Sequence, residues 1–183
     1  MDASETKAVL RAAYHEAGHV VVAVRKGVRI GRVGMCIDDC GRGYSAMRLH
    51  CPDDSPDYPL SREASIAVLY AGSIAEKRFD HESTGKTAED DLKRIQELRD
   101  KDPPLTDVMT LEIESRGLVE GNWDAIDRLA GRLLLQLYRP RAECCRGWNT
   151  SPPWVRARQL SGEEIAAVLS CLDVQLENIE PII

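Results

Sequence analysis

The stretch from Ala12 to Val24 leaves this chain few ways to fold. Ala12, Ala13 and Tyr14 precede, and Val20 to Val24 follow, the pentad His15-Glu16-Ala17-Gly18-His19. Apolar residues on both sides of the pentad make a helix that is stable only when buried. The pattern predicts a helix from about Glu5 to Arg25, with Asp2 or Ser4 as the N-cap and Gly27 as the stop. Burial takes two imidazoles and a carboxylate out of water, which is costly unless they are paired or bind a metal. Gly18 at mid-helix costs about 1 kcal/mol relative to alanine, so another element or a substrate is expected to approach closely there.

Residues four apart share a helical face, so His15 and His19 can reach one ion. Glu16, turned by about 100° from His15, can hold a water in an open position of the metal. This is the H-E-x-x-H arrangement of zinc peptidases: two ligands and a general base. Zinc lowers the pKa of its water to about 7, so a carboxylate can take its proton at neutral pH. A catalytic site of this kind needs a third protein ligand. The donors available are His50, His81, Glu76, Asp90 and Asp91. Asp91 shares a helical face with Ala88, Ile95 and Leu98 and so points inward, whereas Asp90 shares its face with Lys93, Arg94 and Glu97. That favours Asp91. Glu76, near Leu69 and Gly72 on its own helix, is the rival, and His50 and His81 sit in loop-like contexts.

Composition narrows the rest. Aromatic residues are 5% of 183, with a single Phe, so the core is built from Val, Leu, Ile and Ala, which leans toward helices. A net charge of −6 argues against a general nucleic-acid binder, although Arg139, Arg141, Arg146, Arg156 and Arg158 form one basic cluster. No apolar run approaches the about 18–20 residues that cross a bilayer, and no secretory signal is visible at the N-terminus. The six cysteines are scattered, with no C-x-x-C pair, and read as reduced thiols. A cytoplasmic protein with no membrane anchor is the expectation.

One domain is expected over 1–183, mainly α with a small antiparallel β-sheet. Val28 to Leu49 alternates β-prone pieces with glycines and reads as two or three short strands with a turn at Asp38 to Gly41. Cys51 to Pro59 is a loop. Helices follow over about Ser61–Phe79, from near Thr87 to Pro103-Pro104, over Leu105–Leu118 with a stop at Gly117, and over Asn122–Tyr138. The capping box Ser161-Gly162-Glu163-Glu164 opens the last helix. Arg139 to Arg158, with two tryptophans and no apolar period, reads as a loop or flap at 139–158.

Four blocks resemble the peptidase domain of the FtsH family of zinc metalloproteases. They are Ala13-Tyr14-His15-Glu16-Ala17-Gly18-His19; Ala71-Gly72-Ser73-Ile74-Ala75-Glu76; Ser83-Thr84-Gly85 with Asp91-Leu92-Lys93-Arg94; and Asn122 to Leu134 with Leu160 to Ile165. Their order and rough spacing follow the family pattern over most of the chain. The resemblance implies an FtsH-peptidase-like helical zincin domain, with His15, His19 and Asp91 as zinc ligands and Glu16 as the catalytic base. It makes Glu76 a supporting residue rather than a ligand, and it implies a substrate strand paired along the edge of the small sheet, within Met35 to Met47.

The family's members are normally fused to an ATPase and anchored in a membrane, and these 183 residues hold neither module. Gly85-Lys86-Thr87 mimics the end of a phosphate loop, but Asp80 stands where the earlier glycine is required, so no nucleotide is expected. The hexamer that an ATPase ring organises is not implied, and the oligomeric state stays open. The expected function is a zinc-dependent, ATP-independent endopeptidase acting on flexible or unfolded polypeptide. The alternative from another class is a non-catalytic, zinc-bearing adaptor that binds polypeptide. A closed shell, with a cysteine as fourth ligand, would equally abolish catalysis.

Overall fold

The computed structural model describes residues 3–27, 32–37, 43–48, 61–84, 88–101, 106–135, 160 and 162–170. In chain order the elements are α1 (Ala3–Arg25), β1 (Arg32–Ile37), β2 (Gly43–Arg48), α2 (Arg62–Phe79), α3 (Glu89–Lys101), α4 (Val108–Gly121), α5 (Trp123–Leu135) and α6 (Gly162–Ser170). The described chain is mainly helical. No described helix is long and apolar enough to cross a membrane.

The apolar circumference of α1 places it at the centre. From Ala12 to Val24 every residue is buried except the half-buried Tyr14. Helices α2, α4 and α5 pack around α1, and both strands lie against it. Val20, Val21, Val22 and Ala23 join Ile126, Leu129, Leu133, Leu160, Ile165 and Leu169 in one apolar core. A smaller cluster of Ile66, Ile95 and Leu111 fastens α3 and α4 to the other side of α2. Strands β1 and β2 pair antiparallel, from Arg32 opposite Arg48 to Ile37 opposite Gly43.

Local signals set the ends of the elements. Gly27 adopts a φ of 76° and its N–H bonds to the Val24 carbonyl at 3.0 Å, closing α1 as a glycine stop does. The Ser61 hydroxyl accepts from the Ala64 N–H at 3.1 Å and caps α2. Asn122 serves two helices. Its carbonyl accepts from the Ala125 and Ile126 N–H groups that open α5, while its side-chain amide donates to the Leu118 carbonyl at 2.8 Å at the end of α4.

Three boundaries differ from the sequence reading. Ser4 lies within α1 and is not its cap. Helix α4 begins after Asp107, whose carboxylate accepts from the Met109 and Thr110 N–H groups, rather than at Leu105. Gly117 does not stop it: the helix continues to Gly121 because Leu111, Ser115 and Val119 are buried along one face, with the Ser115 hydroxyl donating to the Ala67 carbonyl at 2.8 Å. That packing outweighs the cost of an exposed glycine. The expectations on Asp2, residues 38–42, His50, Thr87, Pro103-Pro104, residues 136–138, the 139–158 loop or flap and Ser161 lie outside the described residues.

Gly18 marks the tightest approach of α1 to α2. A Cβ there would stand 2.6 Å from the Ala71 carbonyl oxygen and 2.7 Å from the Ala75 Cβ. The close approach inferred from the sequence is therefore made by α2. At Gly117, by contrast, an added Cβ would meet nothing within 4 Å. Gly18→Ala is expected to lower stability by about 1–2 kcal/mol, because overpacking exceeds the gain in helix propensity. Gly117→Ala is expected to raise it by about 0.5–1 kcal/mol. Thermal unfolding should show Tm shifts of opposite sign.

Candidate metal centre

The α1–α2 crossing decides what surrounds the histidines. His15 and His19, 4% and 3% exposed, face α2 with their rings edge to face and 85° apart. Their Nε2 atoms lie 3.0 Å from each other. Asp91, in the first turn of α3, brings Oδ2 to 3.0 Å from His15 Nε2 and 3.2 Å from His19 Nε2. Three donor atoms from two helices therefore meet at one point, and they form the metal-competent His/Cys/Asp/Glu group among the described residues.

The far side of each imidazole is held. His19 Nδ1 donates to the Val68 carbonyl at 2.7 Å. A carbonyl only accepts, so the ring proton sits on Nδ1 and the neutral ring presents a lone pair at Nε2. His15 Nδ1 lies 3.2 Å from Glu76 Oε2, a carboxylate that fixes the same tautomer. Two lone pairs 3.0 Å apart, both facing a carboxylate oxygen, repel unless a proton or a cation stands among them. Burial disfavours a charged His15, yet the bonds to Asp91 and Glu76 and the charge of Glu16 outweigh it and push its pKa up to about 10. Burial likewise opposes ionisation of Asp91, and the two imidazoles overcome it and hold its carboxyl well below the usual range. The carboxylates around the imidazoles thus favour a cation at this point. Two neutral imidazoles and one carboxylate suit a divalent metal such as zinc, whose binding would displace that proton.

Space for an ion is built in on α2. A Cβ at Gly72 would stand 2.5 Å from His19 Nε2 and 2.8 Å from His15 Nε2, where it would fill the position in front of both donors. Glu16 is 4% exposed, and its Oε2 has no hydrogen-bond partner among the described residues. An orphan buried carboxylate oxygen is costly, which sets Glu16 apart from the paired groups around it.

The other candidates separate cleanly. Glu76 lies behind His15, bonded to Nδ1 and to the Ser83 hydroxyl, so it supports the ring and does not face the convergence point. Asp90 and His81 are exposed and stand outside the cluster. His50 lies outside the described residues.

No family model matches the chain, and no curated protein matches it. The chemistry of the site therefore rests on its own geometry.

Several residues around the centre escape a reading of the sequence. Gly72 and the Val68 carbonyl act through absent or backbone atoms, which carry little signal in a sequence. Asp80, just past α2, is 6% exposed and accepts at one oxygen from Arg11 Nη2 at 2.5 Å and Lys7 Nζ at 3.0 Å. Lys7, Arg11, His15 and His19 are spaced four apart, so this ionic clasp and the two imidazoles occupy one stripe of α1. That spacing is readable; the partner Asp80 is not. Beside the stripe, Tyr14 stacks between Phe79 at 4.2 Å and Trp123 at 5.5 Å, with Arg78 over the Trp123 ring at 4.5 Å. Its hydroxyl donates to Asp127, and burial together with that bond pushes its pKa up to about 12.

Two outcomes are expected. Asp91→Ala and Gly72→Ala should lose bound zinc in elemental analysis while keeping helical content, and Asp90→Ala should keep both. Burial works against the Asp80 charge, but bonds from Lys7, Arg11 and the Glu82 N–H lower its pKa from 3.8 to about 2. Its stabilising effect is complete above the unfolded value and is lost as pH falls toward the folded one. The stability gap between wild type and Asp80→Asn in denaturant titrations should accordingly be widest near neutrality and close between about pH 4 and about pH 2.

Proposed function

We propose that the chain is a zinc-dependent endopeptidase that cleaves flexible or unfolded polypeptide without ATP. The observation that carries this reading is the meeting of His15 Nε2, His19 Nε2 and Asp91 Oδ2 in front of a helix face cleared by Gly72, with the buried Glu16 next in sequence to His15. The four-block resemblance to FtsH peptidase domains points the same way, and we read the helices and the antiparallel pair around the site as that kind of zincin domain.

Three protein ligands leave a position for water or substrate, whereas a structural site is closed by a fourth. Bound zinc would supply Lewis acidity toward a peptide carbonyl and an acidified water. The chain's own residues do the rest. His15 and His19 present Nε2 because Glu76 and the Val68 carbonyl hold their Nδ1–H groups. Glu16 Oε2 takes the proton of the attacking water and delivers it to the leaving amine. The core around α1 excludes bulk water from this exchange and strengthens each polar contact within it. The β1–β2 pair lies against α1, where an extended substrate can add main-chain hydrogen bonds with little demand on sequence. Within these 183 residues no phosphate-loop motif is complete, which supports an ATP-independent reaction. Scattered cysteines with no C-x-x-C pair favour a cytoplasmic setting.

The test is zinc content measured beside cleavage of casein or a flexible peptide. The wild type should hold one zinc per chain, lose cleavage on chelation and regain it with added zinc. Glu16→Gln should keep zinc and fold while turnover falls by at least about 10²-fold, the scale of a general acid–base group. Undiminished cleavage by the metal-loaded mutant would remove Glu16 from the reaction. Zinc without cleavage in the wild type would favour an adaptor.

A further inference from the structure

Directly after α2 the chain makes a tight turn that is tied to α2 and to α1, the helix that carries both histidines. The Asp80 N–H bonds back to the Glu76 carbonyl at 2.8 Å, and the Ser83 N–H bonds to the Asp80 carbonyl at 2.9 Å. The Asp80 carboxylate also accepts from the Glu82 N–H at 3.1 Å, which holds the turn from within. From α1, Arg11 and Lys7 grip the same carboxylate one and two helical turns before His15. The product of this clamping is the position of one hydroxyl: Ser83 Oγ donates to Glu76 Oε1.

Glu76 is 1% exposed. A carboxylate so deeply buried needs donors at both oxygens, and its direction is set by where they stand. His15 Nδ1 faces Oε2 at 3.2 Å, and the Ser83 hydroxyl occupies Oε1. Ser83 and His15 at opposite oxygens help to set the carboxylate plane, and with it the orientation of the His15 ring. We propose that Ser83 is a positioning residue for the metal centre: it acts through Glu76 on His15, and the Asp80 turn exists to hold it there. This rests on the metal reading given above.

A residue that merely tied the turn together would change stability when lost, yet leave the affinity of the folded site alone. A positioning hydroxyl changes the affinity itself, since outer partners of metal-bound histidines are worth about 10–100-fold in binding. Three measurements on the full chain separate the two. They are zinc affinity by competition with a chromophoric chelator, apoprotein Tm, and the ¹⁵N–¹H NMR signature of the His15 Nδ1–H tautomer. Ser83→Ala should weaken zinc binding by about 10-fold or more and should broaden or shift the His15 Nδ1–H signal. Ser83→Thr, which keeps the hydroxyl, should restore both. Ser83→Cys, a weaker donor of similar volume, should fall between them, and it replaces the alanine variant if that one fails to fold. Wild-type affinity in the folded alanine or cysteine variant would overturn the proposal, as would failure of threonine to rescue. A wild-type chain that takes up no zinc would instead defeat the metal reading. The His15 Nδ1–H signal in Ser83→Ala would then decide the Ser83–Glu76–His15 linkage on its own: an unchanged signal overturns it and a lost or shifted one supports it.

Discussion

Everything in this structure depends on how closely α1 can approach α2. Gly18, Ala71, Gly72 and Ala75 line the crossing with almost no side-chain volume. That closeness lets one helix supply both imidazoles while the next supplies their supports, Val68 and Glu76, without a loop between donor and brace. Two roles fall to the two glycines. Gly18 admits the backbone of α2, and Gly72 leaves the space in front of the Nε2 atoms. Each gives up helix propensity, a cost that the surrounding apolar core offsets.

A second constraint is electrostatic. His15, Glu16, His19, Glu76 and Asp80 are all buried, in a domain whose core is otherwise Val, Leu, Ile and Ala. Buried ionisable groups are tolerated when charges meet opposite charges or directed hydrogen bonds, as all of these do except Glu16 at its Oε2. Here the arrangement is layered along α1: the clasp of Lys7 and Arg11 on Asp80 comes first, the His15–Glu76–Ser83 series next, and the Asp91 contacts with both imidazoles last. Arg11 contributes more than a surface ion pair does, because its partner oxygen is shielded from water and screened little by salt.

Much of this is legible in the residues, and what is not has physical reasons. The extent of α1, its burial, the facing pair His15 and His19, and the inward face of Asp91 all follow from a 3.6-residue period. The span of α2 also reads correctly, although its Ser61 cap shows only in the structure. The stop placed at Gly117 fails because a glycine weakens a helix locally while Leu111, Ser115 and Val119 hold it from a distance. The start placed at Leu105 fails because the Asp107 cap acts through side-chain geometry that apolar periodicity does not encode. Within the site, the sequence leaves Glu76 in competition with Asp91, since both lie on helical faces turned inward. The packing of α2 and α3 on α1 puts Glu76 at the back of the His15 ring and Asp91 at its front, the division of roles that the resemblance implies. The Ser83 and Asp80 contacts join positions 7 and 69 residues apart from their partners, a relation no local pattern carries.

The aromatic stack on Tyr14 has a mechanical consequence. A helix carries its side chains in fixed angular order, so turning α1 about its axis moves every residue on it together. Tyr14 is the neighbour of His15 in that order, and its ring is gripped by Phe79 from α2 and Trp123 from α5, with its hydroxyl tethered to Asp127. The stack therefore works as a keyway: it fixes the rotational phase of α1 and so the aim of both imidazoles. Rigidity at the two imidazoles is in this way imported from a half-exposed flank, and α5 becomes part of the frame that aims them without donating an atom to the His15, His19 and Asp91 group.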